Sequence, residues 1–229
     1  MHKLTLGFLA AAGMLFAKDG AEVTHRLEDA TATFREIMAS QDRGIPQDLI
    51  DKAHCAVVVP GLKKGAFVVG AQFGRGFVSC RGANDRGWSA PAAIRVEGGS
   101  VGFQIGGSET DVVMLVMNDR GAEKLLGDQF TLGGEGEVAA GPVGREATAQ
   151  TDARMRAEIL SWSRSRGVFA GIALKGATLR QDKDANEDLY GKPLATREIV
   201  TDRAVRPTPA GRAFIEALNN ESHVEEPHR

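Results

Sequence analysis

Between Cys55 and Met117 the chain alternates apolar segments of five to eight residues with short stretches that contain glycine or charged residues. Apolar runs of this length are typical of β-strands, because amphipathic helices need longer runs with a period of 3.6 residues. Glycine accounts for 28 of the 229 residues, and much of it stands inside these runs. Since glycine within strands permits bulges and close strand approach, we expect a mostly antiparallel, strongly curved or barrel-like sheet. The predicted strands are Cys55–Pro60, Ala66–Phe73, Phe77–Arg81, Ala92–Val96, Ser100–Ile105 and Asp111–Met117, followed by 137–140, 146–149, 159–163 and 168–174.

Helical periodicity flanks this strand region. In Ala21–Ser40 the apolar residues recur at steps of three and four, which places them on one stripe of an amphipathic helix. Near the other end, Thr208–Leu218 starts with a threonine N-cap followed by proline, a typical helix start. Shorter helices are predicted over 46–53, 119–126 and 182–190. The pattern indicates an α+β fold with N- and C-terminal helices, in a single domain over residues 18–218 that is followed by a disordered tail, Asn219–Arg229.

The N-terminus contains an uncharged apolar run, Leu4–Ala17, bounded by Lys3 and Lys18. The run is shorter than the ~20 residues of a membrane-spanning helix, and the preceding lysine fits a secretory signal peptide. We therefore expect a signal peptide over residues 1–17, cleavage after Ala17 and a periplasmic or secreted protein. The alternative is a buried N-terminal helix in a cytoplasmic protein. No cysteine follows the run, so the sequence does not predict a lipoprotein.

Two cysteines, Cys55 and Cys80, leave two alternatives open. In an oxidising compartment they can form a disulfide, and otherwise they are two buried thiols. In the predicted three-strand meander, Cys55 starts the first strand and Cys80 ends the third. These positions are at opposite ends of the sheet, too far apart for the ~7 Å between Cα atoms that a disulfide tolerates.

Few residues offer catalytic chemistry. Gly98–Gly102 matches G-x-S-x-G around Ser100, but a nucleophile elbow needs a helix after the serine, and a glycine turn between two strands fits the following residues better. His54 stands beside Cys55, and neighbouring strand residues point to opposite faces. We expect no enzyme activity, no cofactor and no metal. The net charge of −2 does not favour a nucleic-acid partner, which usually requires a basic excess.

A series of short blocks stands in order from about Ala21 to Leu218. The most specific are Gly87–Pro91 (GWSAP) and Gly102–Gly106 (GFQIG). Together with the other blocks they resemble the SYLF domain family, in the family's order. The other blocks are Ala56–Pro60, Lys63–Phe67, Gly70–Gly76, Cys80–Arg81, Asp111–Asn118, Ala140–Arg145, Ser161–Gly167, Phe169–Gly171 and Tyr190–Gly191.

The resemblance implies a non-enzymatic domain. Eukaryotic members are linked to phosphoinositide binding, membrane remodelling and, in fungi, actin binding, whereas bacterial members resemble exported, lipid-binding envelope proteins. For this chain it implies a lipid or membrane surface, or an envelope protein, as partner. The alternative is a structural or protein-interaction domain of the envelope whose lipid association is incidental. The family's N-terminal helix corresponds to Ala21–Ser40, whose charge of −2 departs from the basic face expected at an anionic surface.

Within the blocks, two sets of residues are candidates for distinct roles. The candidate lipid contacts are the cations Lys63, Lys64, Arg75 and Arg81. Lys63 and Lys64 fall in the predicted turn Gly61–Gly65 and Arg75 in the predicted turn Gly74–Gly76, at opposite ends of one strand, so they form one patch only if the sheet curls strongly. The alternative is that they are ordinary solvated turn charges. The predicted structural motif residues are Trp88, Ser89, Pro91, Gly102, Gln104, Gly106, Gly141 and Pro142.

Overall fold

The computed structural model describes residues 6–40, 44–66, 69–82, 87–101, 106–134, 138–143, 157–165, 168–171, 174 and 176–222. Six helices lie in this part of the chain: α1 (Leu6–Met38), α2 (Gln47–Lys52), α3 (Asp119–Leu125), α4 (Lys183–Tyr190), α5 (Thr196–Val200) and α6 (Pro209–Asn220). Thr208 caps α6 as predicted, because its hydroxyl accepts a hydrogen bond from the Gly211 amide at 3.1 Å.

The described strands form one nine-stranded sheet. They are β1 (Cys55–Ala66), β2 (Val69–Cys80), β3 (Ala92–Val101), β4 (Gly106–Val116), β5 (Gln129–Thr131), β6 (Val138–Ala140), β7 (Ile159–Ser165), β8 (Val168–Gly171) and β9 (Ala177–Gln181). The order across the sheet is β5-β9-β3-β2-β1-β4-β7-β6, with β8 also paired to β7. Of these pairings β6 with β7 is parallel and the others are antiparallel. The strongly curled, half-barrel sheet with terminal helices confirms the predicted α+β class.

The apolar stripe of α1 packs against one face of the sheet. Val23, Leu27, Ala30, Phe34 and Ile37 are all buried, which confirms the helical stripe read from the sequence. They share a core with sheet residues and with α6, namely Val58, Phe77, Val113, Leu115, Trp162 and Phe214. Since burying each large apolar side chain contributes ~1.5–3 kcal/mol, this contact is a principal source of stability.

The opposite face of the sheet has its own apolar layer. Strand residues that alternate with the first set, such as Val57, Val78 and Met114, pack there against Phe130 and the α5 residue Ile199. Both faces of the central strands are therefore covered, which explains why these strands read as nearly continuous apolar runs.

Two predicted turns are wrong, because Gly61–Gly65 and Gly74–Gly76 lie inside β1 and β2. β1 carries a bulge between Val59 and Leu62, where Gly61 adopts a left-handed φ of 59°. The bulged segment lies directly over the glycines of β2: a Cβ on Gly76 would stand 2.2 Å from the Val58 carbonyl oxygen. These glycines therefore provide close approach between strands and do not mark a change of chain direction.

Two further predictions are corrected by the described residues, and some elements were not predicted at all. Ser100 lies within β3, so Gly98–Val101 is part of a strand and not a turn, and Gly102 lies outside the described residues. The strands β5 and β9 and the helix α5 were not predicted. The predicted disordered tail is wrong for its first four residues, since α6 continues to Asn220 and Ser222 is buried, whereas 223–229 lie outside the described residues.

Cys55 and Cys80 form a disulfide, so the arrangement predicted for them is wrong. Because β2 is one continuous strand, the β1–β2 hairpin brings Cys80 directly opposite Cys55, with 3.9 Å between their Cα atoms. Both residues are buried in the second apolar layer, where the bond closes a loop with a sequence separation of 25.

Removal of this bond is expected to destabilise the domain. A loop of this length predicts a loss of ~3 kcal/mol in the free energy of unfolding for Cys55→Ala/Cys80→Ala, because the unfolded chain gains freedom. Urea denaturation followed by tryptophan fluorescence measures the change. A reductant should lower the wild-type midpoint and leave that of the double variant unchanged; equal midpoints for oxidised wild type and double variant would contradict the prediction.

Candidate functional site

An open groove of about 760 Å³ lies between α1 and one end of strands β1, β2 and β4. It is on the same face of the sheet as the α1 core, beyond the point where the apolar stripe covers the strands. One wall is the polar side of α1 and the other is the sheet. We refer to this space as the groove.

The helix wall of the groove is rich in carboxylates. Glu22, Asp29 and Glu36 line it at steps of seven residues, which places them on one face of α1. Arg26 donates to Glu22 at 2.7 Å, and the His25 ring lies 3.0 Å from the Asp29 carboxylate. The acidic character noted in the sequence therefore belongs to a groove wall, and the apolar stripe faces away from it into the core.

The sheet wall carries a row of three different side chains. Phe73 on β2, Lys63 on β1 and Glu109 on β4 are directly opposed in the strand register and line the groove. Directly opposed residues in an antiparallel sheet point to the same face. Phe73 is 46% exposed, one of two large exposed apolar side chains among the described residues. The groove therefore presents an aromatic ring, an ammonium and a carboxylate side by side.

At one end of the groove, Arg164 of β7 joins the helix to the sheet. Its guanidinium contacts Asp111 of β4 at 2.7 Å and also pairs with Glu36 of α1. Asp111 in turn accepts a hydrogen bond from the Gly61 amide at 2.9 Å, which fixes the β1 bulge. Burial opposes the charge of Arg164, but the hydrogen bonds and negative charges of both carboxylates raise its pKa above the ordinary value.

Arg75, a predicted lipid contact, also lines the groove. Its Nε lies 3.5 Å from the carboxylate of Asp182, which is 2% exposed and caps the N-terminus of α4. Arg95, the residue opposite Arg75 on β3, lies 4.0 Å from the same carboxylate. Arg75 is therefore held by an internal ion pair and is not a freely moving surface cation.

The other two predicted cations lie elsewhere. Lys64 follows Lys63 in β1 and points to the opposite face, beside Gln72, where partial burial lowers the pKa of its ammonium. Arg81, at the far end of β2, donates to the carbonyls of Ala53 and Ile50 and stacks over the Trp88 ring at 4.6 Å. The structure thus brings Lys63 and Arg75 together in the groove and separates Lys64 and Arg81 from them.

The motif around Trp88 joins distant parts of the chain. The Trp88 ring donates to the Ser222 hydroxyl at 2.9 Å beyond the end of α6, and Ser89 accepts a hydrogen bond from the Cys80 amide at 3.1 Å. The Tyr190 hydroxyl donates to the Pro91 carbonyl at 2.6 Å, and burial raises the pKa of that hydroxyl. These contacts give the block a packing role.

Gly141 and Pro142 hold the second tryptophan. A Cβ on Gly141 would stand 2.0 Å from Cε2 of Trp162, and the Trp162 ring donates to the Pro142 carbonyl at 2.7 Å. Gly106 starts β4 opposite Ala66. Gly102 and Gln104 lie outside the described residues.

Most residues of the groove were not predicted from the sequence. Phe73, Glu109, Asp111 and Arg164 were not among the predicted site residues. The signal for Phe73 was present: in a continuous β2, it alternates onto the same face as Arg75 and the buried Phe77. The assumed turn at Gly74–Gly76 concealed that alternation.

Among the described residues no group of three or more His, Cys, Asp or Glu side chains is arranged to hold a metal ion. Within them, no helix combines the length and the apolar character needed to cross a membrane.

Residues 97–221 match the family model described as Ysc84, Las17-binding protein actin regulator. The SH3 domain-containing YSC84-like protein 1 of Xenopus laevis is 35% identical over 189 residues, which are 81% of this chain and 56% of that protein. Its human counterpart is 33% identical over 195 residues, 85% of this chain and 55% of the relative. The LAS seventeen-binding protein 3 of Saccharomyces cerevisiae is 35% identical over 173 residues, 74% and 37% of the respective chains.

The chain spans about half the length of the vertebrate relatives and less of the yeast one. The matched family model covers more than half of the chain and includes the second half of β3, all of β4 and the described elements from α3 to α6. Its description names binding and regulation, and the name of the yeast relative names binding. This chain therefore belongs to the Ysc84, or SYLF, family of binding and regulatory domains.

Proposed function

We propose that this protein is an exported, non-enzymatic domain of the cell envelope that binds the surface of a phospholipid bilayer through the groove. The observation that carries the proposal is the position of Lys63 directly beside the exposed ring of Phe73. Among the described residues, no carboxylate lies within ion-pair distance of the Lys63 ammonium. A cation beside an exposed apolar ring suits the headgroup region, where phosphates meet the first methylene groups.

The buried stripe of α1 supports the groove, and not helix insertion, as the point of contact. Transfer of α1 into a bilayer would leave Phe77, Val113, Trp162 and other facing side chains without their partners. Burial of the four large stripe residues contributes roughly 6–12 kcal/mol, which is comparable with the ~5–15 kcal/mol net stability of a typical domain. These residues are Val23, Leu27, Phe34 and Ile37. Release of the helix would therefore unfold much of the domain, whereas Phe73 and Lys63 are accessible in the folded state.

Export rests on two independent features of the chain. The apolar run Leu4–Ala17 with its flanking lysines has the pattern of a secretory signal. The buried disulfide between Cys55 and Cys80 is the kind of bond that forms and persists in the periplasm or outside the cell.

A second candidate function is protein binding without direct lipid contact. The description of the matched family and the name of the yeast relative both refer to Las17 binding, which is a protein interaction. The acidic wall of the groove, with Glu22, Asp29 and Glu36, would then face a basic segment of an envelope protein. Vesicle binding distinguishes the two candidates.

Two groove substitutions are expected to weaken binding to vesicles that contain phosphatidylcholine, phosphatidylethanolamine and phosphatidylglycerol. Phe73→Ser removes an apolar side chain worth ~1.5–3 kcal/mol when buried, a loss of tenfold or more in affinity. Lys63→Glu replaces a positive charge by a negative one. Because each charge near the bilayer surface contributes ~1 kcal/mol to binding, this variant should also lose tenfold or more in affinity. Co-sedimentation of protein that starts at Lys18 measures both.

The matched control is Lys52→Glu, the same charge change on an exposed lysine of α2. Lys52 is near the start of β1 and Lys63 near its end, so the control lies more than one Debye length from the groove. It should bind like the wild type. If the wild-type protein stays in the supernatant with every vesicle composition tested, the lipid proposal is ruled out and protein binding is favoured.

Export predicts a processed N-terminus. Protein recovered from the periplasm or medium of an expressing bacterium should start near Lys18, as read by N-terminal sequencing, and Ala17→Arg should slow its processing because signal peptidase requires small residues there. An intact Met1 on protein confined to the cytosol would overturn this part of the proposal.

A further inference from the structure

Most charges of the groove are neutralised within the protein. Arg26 pairs with Glu22, Arg75 with Asp182, and Arg164 with both Asp111 and Glu36. His25 lies against Asp29. In each pair the two charged groups contact each other directly, so a ligand would have to break the pair to use either partner.

Lys63 and Glu109 are the exception. Both side chains are exposed, and in the described part of the chain neither lies within 4.0 Å of an oppositely charged group, although they are directly opposed on β1 and β4. Their backbones are separated by the distance between two hydrogen-bonded neighbouring strands, ~4.8 Å. Phe73 completes the row on the other side of Lys63.

We infer that the groove takes the zwitterionic headgroup of a phospholipid, with its phosphate on Lys63, its ammonium on Glu109 and its apolar part against Phe73. The inference rests on the proposed function and names the class of lipid. A two-carbon linker separates phosphate from ammonium in such a headgroup, which suits charges on adjacent strands. A purely anionic headgroup would satisfy Lys63 and leave Glu109 repelled.

The charge balance of the whole groove favours the same class. Its lining includes five carboxylates and four side chains that carry a permanent positive charge at neutral pH. A surface that docks on anionic lipid by charge should instead be rich in Lys and Arg. The groove is therefore matched to a lipid that carries both signs. The carboxylates are Glu22, Asp29, Glu36, Glu109 and Asp111, and the cations are Arg26, Lys63, Arg75 and Arg164.

Removal of the Glu109 charge separates the two kinds of lipid by the sign of its effect. We expect Glu109→Gln to weaken binding to vesicles of phosphatidylcholine and phosphatidylethanolamine about fivefold, the value of one interfacial charge, and to leave or strengthen binding to pure phosphatidylglycerol vesicles. The wild type should bind the zwitterionic vesicles at least as well as the anionic ones. The measurement is co-sedimentation at low and physiological salt, after circular dichroism has verified folding.

The matched control is Glu123→Gln, the same change on an exposed glutamate of α3. It should bind both kinds of vesicle like the wild type. Wild-type binding confined to phosphatidylglycerol, or unaltered zwitterionic binding of Glu109→Gln, would overturn the inference and leave the proposed function in place. Absence of binding to both vesicle types would overturn the two together.

Discussion

The contact between the apolar stripe of α1 and the sheet is the interaction on which the other features depend. It fixes the orientation of the helix, so the same rotation that buries Phe34 and Leu27 directs Glu22, Asp29 and Glu36 into the groove. An amphipathic helix has one face for each purpose, and here the apolar one is used inside the protein. The groove left for a partner is consequently polar, and Phe73 is the one large exposed apolar side chain among the described residues that line it.

The sheet wall depends on the β1–β2 hairpin. The bulge at Gly61 shifts the register of β1, so that Lys63 stands opposite both Phe73 and Glu109. Close packing of the bulge over Gly74 and Gly76 and the disulfide at the other end hold this hairpin in place. Arg164 then links the bulge, β4 and the helix through Asp111 and Glu36. Scaffold and groove are thus built from the same contacts.

The features that depend on a regular spacing of apolar residues were predicted correctly from the sequence. The stripe of α1, the helix after Thr208 and most strand positions follow from apolar spacing and capping chemistry, and the family follows from ordered blocks. The prediction was wrong where a glycine can indicate either a turn or close packing between strands. Gly76 lies inside β2 and permits close packing of β1 over it, but from the sequence alone it was predicted to lie in a turn. That error placed Cys55 and Cys80 far apart and concealed the position of Phe73 on the groove face. The groove itself depends on strand register, which no local pattern specifies.

We expect α1 to stay packed on the sheet while the groove contacts the bilayer. Hydrogen–deuterium exchange with and without phosphatidylcholine–phosphatidylethanolamine vesicles tests it most directly, because amide protection reports local opening. Amides of α1 from Val23 to Ile37 should keep their slow exchange, and changes on vesicle binding should be confined to strands β1, β2 and β4 near Lys63, Phe73 and Glu109. Faster exchange along α1 in the bound state, with no change at those strands, would contradict it.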